Sequence, residues 1–102
     1  MIKNILSQAV SLSASDIHLT AGQPPFFRVS GEIFQAGEIL SARDVENFLS
    51  ELLTPRLREE LDKNLSVDFS HVEETLSRRF RVNIYYQRKM PALALRLIAE
   101  KI

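Results

Sequence analysis

Arg79-Phe80-Arg81-Val82-Asn83-Ile84-Tyr85-Tyr86-Gln87, with Leu93-Ala94-Leu95-Arg96-Leu97 shortly after it, decides the fold. Both stretches alternate with a period of two, the signature of strands with one buried face. Phe80, Val82, Ile84 and Tyr86 point one way, while Arg79, Arg81, Asn83 and Tyr85 point the other. Leu93, Leu95 and Leu97 share a face, with Arg96 opposite to them. Lys89-Met90-Pro91 reads as the turn between the two strands. Paired as a hairpin, they place Arg81 and Arg96 on one sheet face.

The same period extends upstream. Leu65, Val67 and Phe69 form a further alternating run, closed by the polar turn Glu73-Glu74-Thr75. Asp16-Ile17-His18-Leu19-Thr20 alternates too, and Ala21-Gly22-Gln23-Pro24-Pro25 is a loop, because prolines donate no ladder hydrogen bonds. Phe26-Phe27-Arg28-Val29 and Glu32-Ile33-Phe34 flank Ser30-Gly31, a link suited to a tight hairpin. Of the two adjacent rings, one is expected in the core and the other over the loop.

Three segments switch to the helical period. Residues 2–13 place Ile2, Ile5, Leu6, Ala9 and Val10 on one stripe. Ser41 caps a second helix with Asp44 three residues on, and Val45, Phe48, Leu49, Leu52 and Leu53 follow the i, i+3, i+4 rule. Thr54-Pro55 opens a third, with Thr as cap, Pro at the first helical position, and Leu57 and Leu61 inward. Five or six strands and three helices, not strictly alternating, predict an α+β domain: an antiparallel sheet with helices on one face.

Composition bounds the function. With 102 residues there is one domain, and 45% apolar residues supply its core. No cysteine is present, which excludes disulfides, thiolate metal sites and cysteine nucleophiles. The N-terminus lacks the apolar run of a signal peptide, and nowhere do eighteen apolar residues follow one another. A cytoplasmic protein without membrane insertion is expected. Thirteen basic and thirteen acidic residues cancel, against the positive field of a nucleic-acid binder. Locally, however, Arg78, Arg79, Arg81, Arg88 and Lys89 lie within twelve residues with no acid among them.

Catalytic patterns are missing. Gly22, Gly31 and Gly37 fit neither a Walker nor a dinucleotide spacing. His18 and His71 fall on separate strands without metal-ligand spacing, and no serine sits in a G-x-S-x-G turn. Neither a metal site nor an independent enzyme is expected.

A series of motifs carries a resemblance. Ala14-Ser15-Asp16-Ile17-His18-Leu19-Thr20-Ala21-Gly22-Gln23-Pro24-Pro25 resembles the opening of PilT-like ATPases, the retraction motors of type IV pili in the type II/IV secretion ATPase superfamily. The match continues at Phe27-Arg28-Val29-Ser30-Gly31-Glu32, Leu52-Leu53-Thr54-Pro55, Val67-Asp68-Phe69-Ser70, Arg79-Phe80-Arg81-Val82-Asn83 and Leu95-Arg96-Leu97-Ile98. One departure is Gln87-Arg88-Lys89-Met90, where the family often has glycines.

The resemblance implies that residues 1–102 are a PAS-like N-terminal domain. A RecA-like ATPase domain with ATP and Mg is expected after residue 102, and no cofactor within this chain. It implies a homo-hexamer in which this domain packs on the ATPase core of the same or a neighbouring subunit. It also implies that Arg81 and Arg96 reach the nucleotide bound there and couple its state to motion, the work of pilus retraction and twitching motility. Without the resemblance, both arginines read as solvated or paired with surface acids. Asp16 and His18 share a strand face. They read as structural, Asp16 capping a turn and His18 hydrogen-bonded at a domain edge, and with Arg79 they form the expected interface. The alternative function is a freestanding PAS-like module that binds a ligand or protein in an apolar pocket between helices and sheet. RNA binding through Tyr85 and Tyr86 lacks paired stacking motifs.

Overall fold

The computed structural model describes residues 1–99. Ile102, after which the resemblance places the ATPase domain, lies outside them. Helix α1 (Ile2–Leu12) precedes strands β1 (Asp16–Thr20), β2 (Phe26–Val29) and β3 (Glu32–Gln35). Helices α2 (Ala42–Leu52) and α3 (Pro55–Asn64) follow, and then β4 (Ser66–Glu73), a 3₁₀ turn (Glu74–Leu76), β5 (Arg78–Gln87) and β6 (Met90–Leu97). The six strands form one antiparallel sheet in the order β3-β2-β1-β6-β5-β4. The α+β architecture expected from the alternation is the one observed.

Local chemistry sets the boundaries. Ser13 closes α1 in the left-handed conformation at φ 56°. At α2 the Ser41 hydroxyl accepts from the Asp44 backbone N–H at 3.0 Å, and the Asp44 carboxylate accepts from the Ser41 N–H at 2.8 Å. This reciprocal capping box satisfies two backbone donors that the helix itself leaves open. Those bonds hold the Asp44 carboxyl below its ordinary pKa, the backbone bond from Ser41 contributing most. Thr54 caps α3 by accepting from the Leu57 N–H, with Pro55 at the first turn.

The core lies between the helices and one sheet face. Phe27, Ile17, Leu95, Val82 and Phe69 stand opposite one another across five strands. Leu19, Leu93, Ile84 and Val67 form the neighbouring row. Against these pack Leu6 and Ala9 of α1, Val45, Phe48 and Leu49 of α2, and Leu61 of α3. Helix α2 lies over β6 and β1, and α3 over β4. Burying a side chain such as Phe80, fully enclosed here, stabilises the fold by about 1.5–3 kcal/mol.

Three local expectations need correction. Leu65 does not join the inward row of β4. It closes α3 in the left-handed region at φ 63° and is 60% exposed, because the chain must reverse there before pairing begins. The turn before the last strand is Arg88-Lys89, and Met90 and Pro91 already belong to β6. Proline is tolerated at that strand start because β1 pairs with β6 only from Ala92 onward. Finally, Phe27 is the core ring, but Phe26 faces the outer side of the sheet rather than covering the loop.

Candidate functional site

The helices cover one face of the sheet, and the other face carries the residues between the core positions. Pairing across β2, β1, β6 and β5 sets Arg28 opposite Asp16, Asp16 opposite Arg96, and Arg96 opposite Arg81. Four charges of signs plus, minus, plus and plus thus stand in one row. The next row holds Phe26, His18, Ala94, Asn83 and Asp68. The face is concave, and its groove has a volume of about 930 Å³. The small side chain of Ala94 lowers its floor along β6, while Phe26 and Ile33 give it an apolar wall.

Asp16 holds two of the arginines. Its Oδ1 accepts from Arg96 Nε at 3.3 Å, and its Oδ2 lies 3.8 Å from Arg28 Nε. The Ser15 hydroxyl also donates to Oδ2, at 2.8 Å. The carboxylate therefore does more than cap a turn: it joins the first strand pair to the last. Arg96 keeps 74% of its side chain exposed, so its guanidinium retains free donors despite this contact.

Arg81 differs from both. It is exposed and has no hydrogen bond or ion pair among the described residues. Directly opposed residues in an antiparallel pair have Cβ atoms about 4.5–5.5 Å apart, and like charges there are destabilising. Arg81 and Arg96 form such a pair. Planar forks at that spacing suit an oxyanion bridging them, since each guanidinium can grip phosphate-type oxygens with two parallel bonds.

The remaining candidates separate. His18 Nε2 meets Tyr85 Oη at 2.8 Å across β6, which gives each ring a polar partner. Asn83 Nδ2 donates to Asp68 Oδ1 at 3.1 Å on the far wall. Arg79 shares the outer face but lies one position beyond the groove. The structure thus brings Asp16, His18, Arg81 and Arg96 together and leaves Arg79 aside.

Sequence reasoning gave no anion role to Arg28, and did not single out Phe26, Asn83 or Asp68 as site residues. Alternation already put Arg28 on the outer face, opposite to Phe27. What was lacking was the pairing of β1 with β6, which joins segments 80 residues apart.

No family model matches the chain. The type IV pilus retraction ATPase PilT of Pseudomonas aeruginosa is 29% identical over 102 residues, covering 99% of this chain and 29% of that protein. A crystal structure of the pilus retraction motor PilT with bound ADP superposes with a TM-score of 0.89 at 36% identity, over 97% of this chain and 29% of that one. The Legionella pneumophila ATPase DotB shares the fold at a TM-score of 0.80 and 24% identity, over 98% of this chain and 29% of that one. The Yersinia pseudotuberculosis ATPase DotB does so at 0.75 and 18%, over 96% and 29%. The chain spans less than a third of each of these proteins. Among the described residues, no helix is long and apolar enough to cross a membrane. In both sequence and fold, the chain matches an N-terminal domain of a PilT-like secretion ATPase.

Proposed function

We propose that this chain is the N-terminal mechanical and regulatory domain of a hexameric pilus-motor ATPase. It relays the state of a nucleotide, bound with Mg on a RecA-like domain beyond residue 102, into motion between subunits. Hydrolysis takes place on that domain, and this chain contributes arginines rather than a phosphate loop. Pilus retraction in the cytoplasm, with twitching motility as its outcome, is the process it would serve.

One observation carries the reading. Arg81 and Arg96 stand directly opposite each other on the helix-free face, and Arg81 has no partner of its own among the described residues. Two like charges held side by side cost stability unless an anion joins them. A phosphate from the same or a neighbouring subunit would supply that anion. The open face beside them, with Asp16 and His18, would form the contact with the ATPase core. The groove lies on the outer face, away from the packed layer between helices and sheet where a PAS-like module would hold an apolar ligand.

The test places Arg81→Ala and Arg96→Ala in the intact ATPase. The expected result is loss of nucleotide-dependent domain closure, with slower hydrolysis. Hydrolysis and closure both unchanged would sink the proposal.

A further inference from the structure

The charge row contains a carboxylate where an anion would sit. Asp16 lies between Arg28 and Arg96 and touches both through different oxygens, at 3.8 and 3.3 Å. It stands two strands from Arg81, with Arg96 on the strand between them, and among the described residues Arg81 has no partner. Adjacent strands are about 4.8 Å apart. A ligand engaging Arg81 and Arg96 together therefore approaches Asp16 closely, and like charge repels it.

We propose that Asp16 is the resident occupant of a three-arginine oxyanion site, displaced when a polyphosphate binds, and that Arg28 is the third arm of this site. This rests on the anion reading of Arg81 and Arg96 given above and adds its regulation. An incoming phosphate first meets Arg81, which has no partner among the described residues. It then competes with the carboxylate for Arg96. A single phosphate offers one centre of charge for this exchange. A chain of two or more phosphates can hold Arg81 while replacing Asp16 at Arg96. The released carboxylate stays near Arg28, hydrogen-bonded by Ser15, or yields Arg28 to the ligand as well. The site thereby discriminates by charge, remaining closed to weak anions of the solution. Because β1 and β2 carry Asp16 and Arg28, the exchange also changes what ties the first strands to β6.

The experiment titrates inorganic pyrophosphate into the 102-residue chain, its Asp16→Asn variant and its Arg28→Gln variant at constant ionic strength, by calorimetry. Asparagine keeps the shape and one accepting oxygen while removing the charge. Exposed ion pairs of this kind predict that Asp16→Asn binds about three- to tenfold more tightly. Arg28→Gln is expected to bind about two- to fivefold more weakly. In the unmodified chain, the Asp16 side-chain carboxyl carbon signal should move on pyrophosphate saturation, a readout needing no variant. Unchanged or weaker binding by Asp16→Asn overturns the proposal, as does an Asp16 signal that stays fixed while pyrophosphate binds. Should binding vanish in Arg81→Gln while Asp16→Asn changes nothing, the exchange fails and the anion reading stands. Binding that survives Arg81→Gln and Arg96→Gln, or that is absent from every form, overturns both.

Discussion

Arg81→Gln is expected to stabilise the isolated domain. Glutamine preserves much of the side chain's stem and β propensity is little changed, so charge is the main loss. Arg81 stands opposite Arg96 at about 5 Å and two residues from Arg79, at about 6.8 Å along the strand. Against these, Asp68 lies diagonally across β4 at about 7–8 Å. With the dielectric of water, these three terms leave a net repulsion of about 0.9 kcal/mol without salt. Screening over a Debye length of about 8–10 Å reduces it to about 0.5 kcal/mol near physiological ionic strength. For a domain of this size that corresponds to a melting temperature higher by about 2–4 °C. Arg96→Gln relieves the same repulsion but also removes the bond to Asp16, so its net effect should lie near zero. Thermal unfolding of the three proteins at about 20 mM, 150 mM and 1 M salt is the assay; the advantage of Arg81→Gln should fade as the Debye length falls to about 3 Å. A destabilised Arg81→Gln, or a gain indifferent to salt, would refute the view that Arg81 is held at a cost to the fold.

Other consequences concern the scaffold. Lys89→Gly should stabilise the chain by about 0.5–1 kcal/mol in urea unfolding, because Arg88 and Lys89 hold φ of 51° and 66° in a two-residue hairpin that favours glycine. Phe80→Ala should cost about 3–5 kcal/mol by the same measurement, since the ring is fully enclosed and little can collapse around it. The capping box makes α2 sensitive to acid. The folded pKa of Asp44 lies below its unfolded value near 3.8, so its contribution is present above that pH and is lost as the pH falls through the folded pKa. Comparing acid unfolding of the parent chain and Asp44→Asn should show the variant's stability varying less with pH in that range.

Features fixed by neighbours in sequence were legible before the fold was known. Thr54-Pro55 marks a helix start through its own hydroxyl and ring, and the alternation from Phe80 to Tyr86 assigns faces without reference to any partner. That Arg81 and Arg96 share a face belongs here as well, but their direct opposition does not, because it follows from the two-residue turn Arg88-Lys89 where the sequence suggested Lys89-Met90-Pro91. Asp16 was harder. Its neighbours in the chain suggest a turn cap, and its ion-pair partners come from Arg28 and Arg96, brought together by two separate strand pairings. Leu65 misleads for a related reason: its apolar side chain continues the period of Val67 and Phe69, but backbone reversal after α3 outweighs its burial. Concavity of the outer face is invisible in the sequence. It depends on Ala94 of β6 lying in mid-sheet, between the larger side chains of β1 and β5.

The most direct measurement is a structure of the intact hexamer with nucleotide bound. The account predicts guanidinium nitrogens of Arg81 and Arg96 within about 3.2 Å of phosphate oxygens, at the boundary between this domain and an ATPase core. An outer face turned to solvent in every nucleotide state, with both arginines remote from phosphate, would contradict it.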